Sequence, residues 1–325
     1  MRSSLVTLAA ATAAAVVLTG CGTTEPAADK KAEPTAKSIT LTDASGAKVT
    51  LDGPAKKVVG TEWNVVENLV SLGVQPVGVA DVKGYTAWDT AAPLTASPKD
   101  IGTRGEPSMD TIAALSPDLI VATTDLTAAA VKQLRAVAPV LQVRSADSAD
   151  QIGQMKENLD LIAEATGTTG KADGLKKSFD AKLAEGKQAL ADAKLAGREI
   201  AFADGWVASN QVSIRPYTSG SLLGEVNEAL GLKNAWKVEG DKDYGLGSTD
   251  VEGLTGLGDV EFAYIGNKAD GGDPFADQLG KNAVWKSLPF VKAGNVHRLP
   301  DGIWMFGGTD AMEAYVDALV AALTK

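Results

Sequence analysis

The chain has 325 residues, with 31 Lys and Arg against 41 Asp and Glu, which gives a formal net charge of −10. A mildly acidic chain without a basic cluster argues against binding nucleic acid, and against binding anionic lipid through the protein surface. A single cysteine, Cys21, excludes an internal disulfide. A single histidine, His297, argues against a zinc or manganese site that would need several histidine ligands.

The N-terminal segment has the pattern of an export signal. Arg2 precedes an uncharged apolar stretch over residues 5–18 that is too short to span a bilayer comfortably. The following sequence LTGC resembles the bacterial lipobox, in which the cysteine takes a diacylglycerol and becomes the new N-terminus. We therefore expect a lipoprotein signal peptide over residues 1–20, a lipidated Cys21, and a disordered polar tether over residues 21–37.

Strand and helix patterns alternate from residue 38 onward. Residues 39–51 alternate around a Ser-Gly turn and predict a hairpin. Apolar strands at 56–63, 75–81 and 118–123 are each followed or preceded by segments with helical spacing. Strands that alternate with helices favour βα units and a mainly parallel sheet covered on both faces.

A long amphipathic pattern divides the chain near its middle. Leu175, Phe179, Leu183 and Leu190 fall on one helical stripe, and strand–helix alternation restarts after Arg198. The predicted fold class is α/β, with two βα lobes of mainly parallel sheets joined by a single long interdomain helix. The expected boundaries are an N-terminal lobe over 38–167, a linking helix over 168–197 and a C-terminal lobe over 198–325.

Four loose motifs occur in order along these lobes. They are IGTRGEPSMDTIAALSPDLIVAT (101–123), TSGSLLGEVNEALGLKN (218–234), STDVEGLTGL (248–257) and VWKSLPFVKAGNVHRLP (284–300). Following a lipobox, this series resembles solute-binding proteins of ABC importers, specifically the iron–siderophore and cobalamin class. The sequence departs from the family pattern at one place. DVEFAYI stands where the family usually has Asp-Pro-Asp at the entry to a strand of the C-terminal lobe.

The resemblance implies a binding protein and not an enzyme. It implies an extracytoplasmic protein, held at the cell membrane through its lipid anchor only, that delivers a ferric siderophore to the permease dimer of an ABC importer. We expect a monomer, favour a Gram-positive source, and expect no resident cofactor because the iron arrives inside the chelate. Haem or cobalamin carriage is the alternative within the same class.

Aromatic side chains gather where loops leave predicted strands, at the edge where open α/β sheets bind ligands. Arg104 and Arg215 lie in Gly/Pro-containing segments, and guanidiniums on facing lobes would clamp an anionic ligand oxygen. Aromatic rings together with a few cations suit a bulky, partly apolar metal chelate. The alternative for each aromatic residue is that it packs in the core at the edge of its lobe. The expected ligand-binding residues are Trp63, Tyr85, Trp88, Arg104, Trp206, Arg215, Tyr217, Tyr244 and Trp304, whereas Trp236 and Trp285 are expected to pack in the core.

Two arginines are few for a triply charged catecholate complex, so a neutral ferric hydroxamate is favoured, followed by a carboxylate-type chelate. By their places in the motifs, Asp110 and Glu225 resemble the paired acids that meet arginines of the permease. The alternative for Asp110 is an acid favoured by the dipole at a helix N-terminus. His297 lies in a predicted strand where it has no expected catalytic role.

Overall fold

A computed structural model describes residues 38–209 and 211–325. The predicted signal peptide, Cys21 and the tether lie outside the described residues. Within the described part of the chain, no helix is long and apolar enough to cross a membrane.

The N-terminal lobe is built on a five-stranded parallel sheet. A hairpin of β1 (Ile39–Thr42) and β2 (Lys48–Leu51) precedes it. The sheet strands are β3 (Val58–Gly60), β4 (Gly78–Val79), β5 (Lys99–Asp100), β6 (Leu119–Thr123) and β7 (Val140–Val143), in the order β5-β4-β3-β6-β7. The helices are α1 (Trp63–Ser71), α2 (Val82–Trp88), α3 (Met109–Leu115), α4 (Ala128–Arg135) and α5 (Gln151–Thr166). Every residue of β3 and β6 is buried, as expected for parallel strands with both faces covered.

The C-terminal lobe has its own five-stranded sheet. Its strands are β8 (Glu199–Ala208), β9 (Gln211–Pro216), β10 (Lys233–Asn234), β11 (Glu261–Tyr264) and β12 (Val296–Arg298). The parallel order is β10-β8-β11-β12, and β9 pairs antiparallel with β8. The helices are α7 (Leu222–Ala229), α8 (Ala283–Ser287), α9 (Pro289–Ala293) and α10 (Thr309–Leu323). The two sheets are separate, and the predicted α/β class is confirmed.

A single long helix, α6 (Thr169–Asp192), connects the last helix of the N-terminal lobe to the first strand of the C-terminal lobe. It packs against α5 on one side and α10 on the other. Gly186 is required by this packing, because a Cβ atom there would lie 2.7 Å from Leu230 Cδ2 and 2.8 Å from Val316 Cγ1. The absent side chain lets α6 approach α7 and α10 closely, which offsets the helix-weakening effect of glycine.

The two lobes are fastened to each other by a buried carboxylate. Glu67 of α1 is fully buried and accepts hydrogen bonds from the backbone N–H groups of Gly308 (2.5 Å) and Ala311 (2.8 Å), at the start of α10. Apolar packing runs across the same boundary, in a cluster that includes Trp63, Val66, Tyr85, Met155, Phe202, Tyr217, Met312 and Tyr315. This shared core favours lobes that move little relative to each other.

Three elements differ from the sequence prediction. Tyr85 and Trp88, expected in a loop, lie on α2, which begins after Asp81 caps the Gly84 N–H. Arg215, also expected in a loop, lies on β9, whose burial alternates along the strand. Residues 248–257, whose sequence pattern predicts a helix, form only a short 3₁₀ turn at Gly253–Gly256. Short elements of this kind carry too little periodicity to be separated from loops by sequence pattern.

Candidate ligand-binding cleft

Two adjoining cavities of about 660 and 730 Å³ lie between the lobes. Both are lined by Asp81, Arg104, Arg215 and Trp304, so they form one cleft, with the first cavity toward Trp88 and the second toward Tyr244. The walls are formed largely by residues that follow the carboxyl ends of β3, β4 and β11, the edge at which open parallel sheets bind ligands. The combined space is large enough for a ligand of drug size or more.

Arg104 is held in place on the N-terminal side of the cleft. Its Nη1 lies 2.8 Å from Glu62 Oε1, and Glu62 also accepts the Trp63 backbone N–H. The guanidinium carbon lies 4.0 Å from the centroid of the Trp63 ring and 5.3 Å from that of Trp304, which belongs to the other lobe. The contacts with two indole rings and one carboxylate hold the guanidinium in position on the cleft wall.

Arg215 has the matching arrangement on the C-terminal side. Its guanidinium pairs with Asp204 of β8, with Nε 2.9 Å from Oδ1. Its carbon lies 5.3 Å from the centroid of the Phe306 ring and 5.7 Å from that of Trp206. Burial raises the pKa of the Asp204 carboxyl, and the neighbouring guanidinium opposes this rise. Each arginine of the cleft is therefore paired with a carboxylate of its own lobe.

A continuous aromatic surface forms the floor of the cleft. The Trp304 ring contacts Trp63 edge to face at 4.7 Å between centroids, Trp88 at 6.1 Å and Phe306 at 5.1 Å. Trp206, on the β8–β9 hairpin, is 49% exposed and overhangs the first cavity. Four of the six tryptophans of the chain thus line the cleft.

At each end of the cleft, an aromatic side chain of one lobe is hydrogen-bonded to an aspartate of the other lobe. Trp88 Nε1 of α2 donates to Asp270 Oδ2 at 3.1 Å. At the opposite end, the Tyr244 hydroxyl of the C-terminal lobe donates to Asp125 of the N-terminal lobe. Because both contacts cross the lobe boundary, they help to fix the spacing of the two lobes.

Seven of the nine residues expected to bind ligand lie on the cleft wall. They are Trp63, Trp88, Arg104, Trp206, Arg215, Tyr244 and Trp304. Trp236 and Trp285 are buried in the C-terminal lobe core, away from these walls.

Tyr85 and Tyr217 do not line either cavity, and expecting them there was wrong. Tyr85 is 0% exposed because its helix turns the ring inward, where the hydroxyl donates to the Ala92 carbonyl at 2.5 Å. Tyr217 is 1% exposed and lies beneath Arg215, with its hydroxyl 3.3 Å from Met305 Sδ. Burial raises the pKa of both hydroxyls, so neither supplies a phenolate at neutral pH.

The two acids expected to dock a permease differ in their surroundings. Asp110 is exposed in the first turn of α3. Glu225 is half-buried, and its carboxylate accepts the backbone N–H groups of Gln151 (2.6 Å) and Ile152 (3.1 Å) at the start of α5. Glu225 therefore caps a helix of the opposite lobe, and this contact occupies the carboxylate that was expected to dock the permease.

Glu252 occupies the place in the C-terminal lobe that Asp110 has in the N-terminal lobe. Asp110 follows the helix cap Ser108, and Glu252 follows the equivalent cap Asp250, which accepts the Gly253 N–H at 3.1 Å. Both acids are exposed. In each lobe, the second residue after the acid is a fully buried apolar side chain, and a sheet strand follows.

Sequence reasoning missed Asp81 and Phe306 on the cleft wall. Asp81 follows β4 by two residues, and its φ of 49° places a non-glycine residue in the left-handed region at the ligand-facing edge. The position of Asp81 after a predicted strand was an available signal. Phe306 follows Trp304 and Met305 in a glycine-bounded loop, and the order of these three apolar residues gave no sign of which side chains face the cleft.

Two α/β lobes on a connecting helix, with an aromatic cleft between them, define a bilobal ligand-binding protein. The chain belongs to the periplasmic binding protein family, whose model matches residues 58–302. This membership confirms the resemblance inferred from the four motifs, and it confirms that the chain is a binding protein and not an enzyme.

Curated relatives and a solved structure match most of the chain. It is 27% identical to the probable siderophore-binding lipoprotein YfiY of Bacillus subtilis (strain 168), over 91% of this chain and 90% of the relative. It is 24% identical to the iron(3+)-hydroxamate-binding protein FhuD of Escherichia coli (strain K12), over 82% and 86%. The crystal structure of the Fe3+–Desferal-bound siderophore-binding protein FhuD from Vibrio cholerae matches with a TM-score of 0.74 and 26% identity, covering 83% of this chain and 98% of that one.

Proposed function

We propose that this protein captures a ferric siderophore outside the cytoplasm and delivers it to an ABC importer. The observation that carries the proposal is the inter-lobe cleft, which is lined by one carboxylate-paired guanidinium from each lobe and by four tryptophan rings. A compact, partly apolar chelate with exposed metal-bound oxygens matches such a surface, because rings contact its apolar body and N–H donors contact its oxygens. The names of the relatives above, and the ligand of the Vibrio cholerae structure, support the same ligand class.

The chelate that the cleft favours is a ferric hydroxamate. A ferric trihydroxamate centre is neutral, whereas a tricatecholate centre carries three negative charges. Arg104 and Arg215 are both already paired with carboxylates of their own lobes, so little uncompensated positive charge is left to oppose a trianion. The Escherichia coli relative is named for hydroxamate binding, which supports this choice.

Haem is a less favoured ligand for this cleft. Of the three tyrosines considered as iron ligands, Tyr85 and Tyr217 are buried outside the cavities. Tyr244 lines the second cavity, but its hydroxyl is bonded to Asp125, and both burial and that carboxylate raise its pKa. A neutral, hydrogen-bonded phenol is a poor ligand for ferric iron.

Tryptophan fluorescence gives a direct test of the proposal. We expect a ferric trihydroxamate to quench the emission saturably, because four tryptophans line the cleft. Replacing Arg215 by Met is expected to weaken binding by about ten- to a hundredfold, since a charge-assisted hydrogen bond is worth about 1.5–3 kcal/mol. Arg135→Met, outside the cleft, is the matched control. Saturable binding of haem or a tricatecholate in place of the trihydroxamate would overturn the assignment.

We further propose how the loaded protein is held and where it docks. Cys21 is the proposed lipid attachment point, supported by the lipobox-like sequence and by the lipoprotein name of the Bacillus relative. Asp110 and Glu252 are the proposed permease contacts, one exposed acid per lobe at equivalent places. Replacing both with Lys is expected to abolish uptake by whole cells while ligand affinity stays unchanged.

A further inference from the structure

The cleft wall has an excess of negative charge after its two arginines are paired with carboxylates. Five carboxylates line the two cavities, and two of these, Glu62 and Asp204, are bound to Arg104 and Arg215. The remaining carboxylates belong to Asp81, Asp125 and Asp270. On the described wall, Lys83 is the single further cation, so the paired set is neutral and the rest carries a net charge of −2.

The larger part of this excess lies at the second cavity. Lys83 and Asp270 line the first cavity only, where one charge offsets the other, and Asp81 lines both cavities. Asp81 and Asp125 line the second cavity, to which the described wall contributes no lysine. Asp125 holds the Tyr244 hydroxyl, so a carboxylate and an aromatic ring lie side by side there, and the Tyr244 ring packs at 5.6 Å from Phe306. A ring beside a carboxylate is an arrangement that stabilises an organic ammonium group.

We infer that the second cavity selects for a positively charged arm on the ligand, and that Asp81 and Asp125 are the residues that determine this preference. The inference rests on the proposed binding of a ferric hydroxamate. The neutral metal centre contacts the two paired arginines, while an alkylammonium group attached to the chelate lies against Tyr244 between the carboxylates. An anionic arm in the same place meets two negative charges in a partly desolvated space, where Coulomb energies are several times those in water.

Three ferric complexes with one metal centre test this inference. A linear trihydroxamate ending in a free amine gives a complex of charge +1, its N-acetyl derivative gives 0, and its N-succinyl derivative gives −1. Dissociation constants are measured by tryptophan quenching at low and at high ionic strength. We expect affinity to fall from the cationic to the neutral to the anionic complex, by at least about tenfold over the series. We expect this difference in affinity to become smaller in 0.5 M salt, because the cleft wall is open to solvent and its charges are screened.

Two isosteric variants assign the effect to residues. Asp81→Asn keeps a side chain that caps the following helix, and Asp125→Asn keeps an acceptor for Tyr244. Each variant is expected to reduce the ratio of affinities between the cationic and the anionic complex by about threefold or more. The control Asp52→Asn, at an exposed acid outside the cleft, leaves this ratio unchanged. Loosening of the lobe contact alone would change all three affinities equally and leave their ratios intact.

The outcomes separate the inference from the proposed function. Equal affinity for the three complexes, a preference for the anionic one, or unchanged ratios in both variants would overturn the charge selectivity while leaving hydroxamate binding in place. Absence of binding by all three complexes would overturn the proposed function itself.

Discussion

The free energy of unfolding of this protein is expected to fall as pH rises toward neutrality, and replacing Asp89 by Asn is expected to make this fall much smaller. Asp89 ends α2, is 1% exposed and lies beside the buried carboxylate of Glu67. Burial raises its pKa from an ordinary 3.8 to about 7. Burial and the nearby Asp89 charge also raise the pKa of Glu67, the carboxylate that fastens α1 to α10.

The sign and size of the effect follow from linkage. Below about pH 4, Asp89 is protonated in both the folded and the unfolded protein. Between about pH 4 and 7 the unfolded chain releases this proton while the folded protein retains it, so the free energy of unfolding falls as pH rises. The difference of about 3 pH units corresponds to about 4 kcal/mol in total, of which roughly 3 kcal/mol falls between pH 5 and pH 8.

Urea unfolding measured from pH 5 to pH 8 checks this reasoning. The wild type is expected to lose roughly 3 kcal/mol more than Asp89→Asn over this range, because an amide does not titrate. A difference in the free energy of unfolding that stays constant with pH reports only how well the asparagine side chain packs, and it says nothing about the pKa of Asp89. Asp52→Asn, at an exposed site, serves as control. Parallel pH profiles for wild type and Asp89→Asn would refute a raised pKa at this residue.

Three further substitutions separate folding from binding. Tyr85→Phe removes the hydrogen bond to the Ala92 carbonyl, so we expect a loss of about 1–2 kcal/mol of stability in thermal melts and unchanged ligand affinity; a large affinity loss would place Tyr85 in the site after all. Gly245→Ala is expected to lower stability by about 2 kcal/mol or more, because φ is +64° and a Cβ would lie 2.1 Å from the Gly220 backbone; a melting temperature equal to wild type contradicts this. Trp304→Ala removes the ring shared by both cavities, and we expect titration to show at least about thirtyfold weaker binding; a loss below threefold would exclude Trp304 as a main contact.

The position of the cleft was predictable because strand direction is a local property. A short buried strand followed by a helix places the intervening residues at the carboxyl edge of a parallel sheet. Trp63, at the end of a predicted strand, was assigned to the cleft on this basis, and Arg104 was assigned because it lies in a Gly/Pro-containing segment just before a helix; both lie on the cleft wall.

Which side chain faces the cleft was not predictable from the same pattern. Tyr85 and Trp88 lie three residues apart on α2, yet one is fully buried and the other lines the first cavity. Tyr217 lies two residues from Arg215 and is covered by it. A short segment shows that aromatic residues are present, but the neighbours that cover them come from distant parts of the chain.

The sequence by itself determined the two βα lobes, the single connecting helix and the edge at which ligand binds, because periodicity and strand–helix alternation act over ten to twenty residues. Only the tertiary structure decided how the lobes are fastened. Glu67 meets the N–H of Gly308 across 241 positions, and Glu225 meets that of Gln151 across 74. A helix cap supplied from another lobe leaves no local pattern, since the capped backbone has no side-chain signature and its partner can be any acid in the chain.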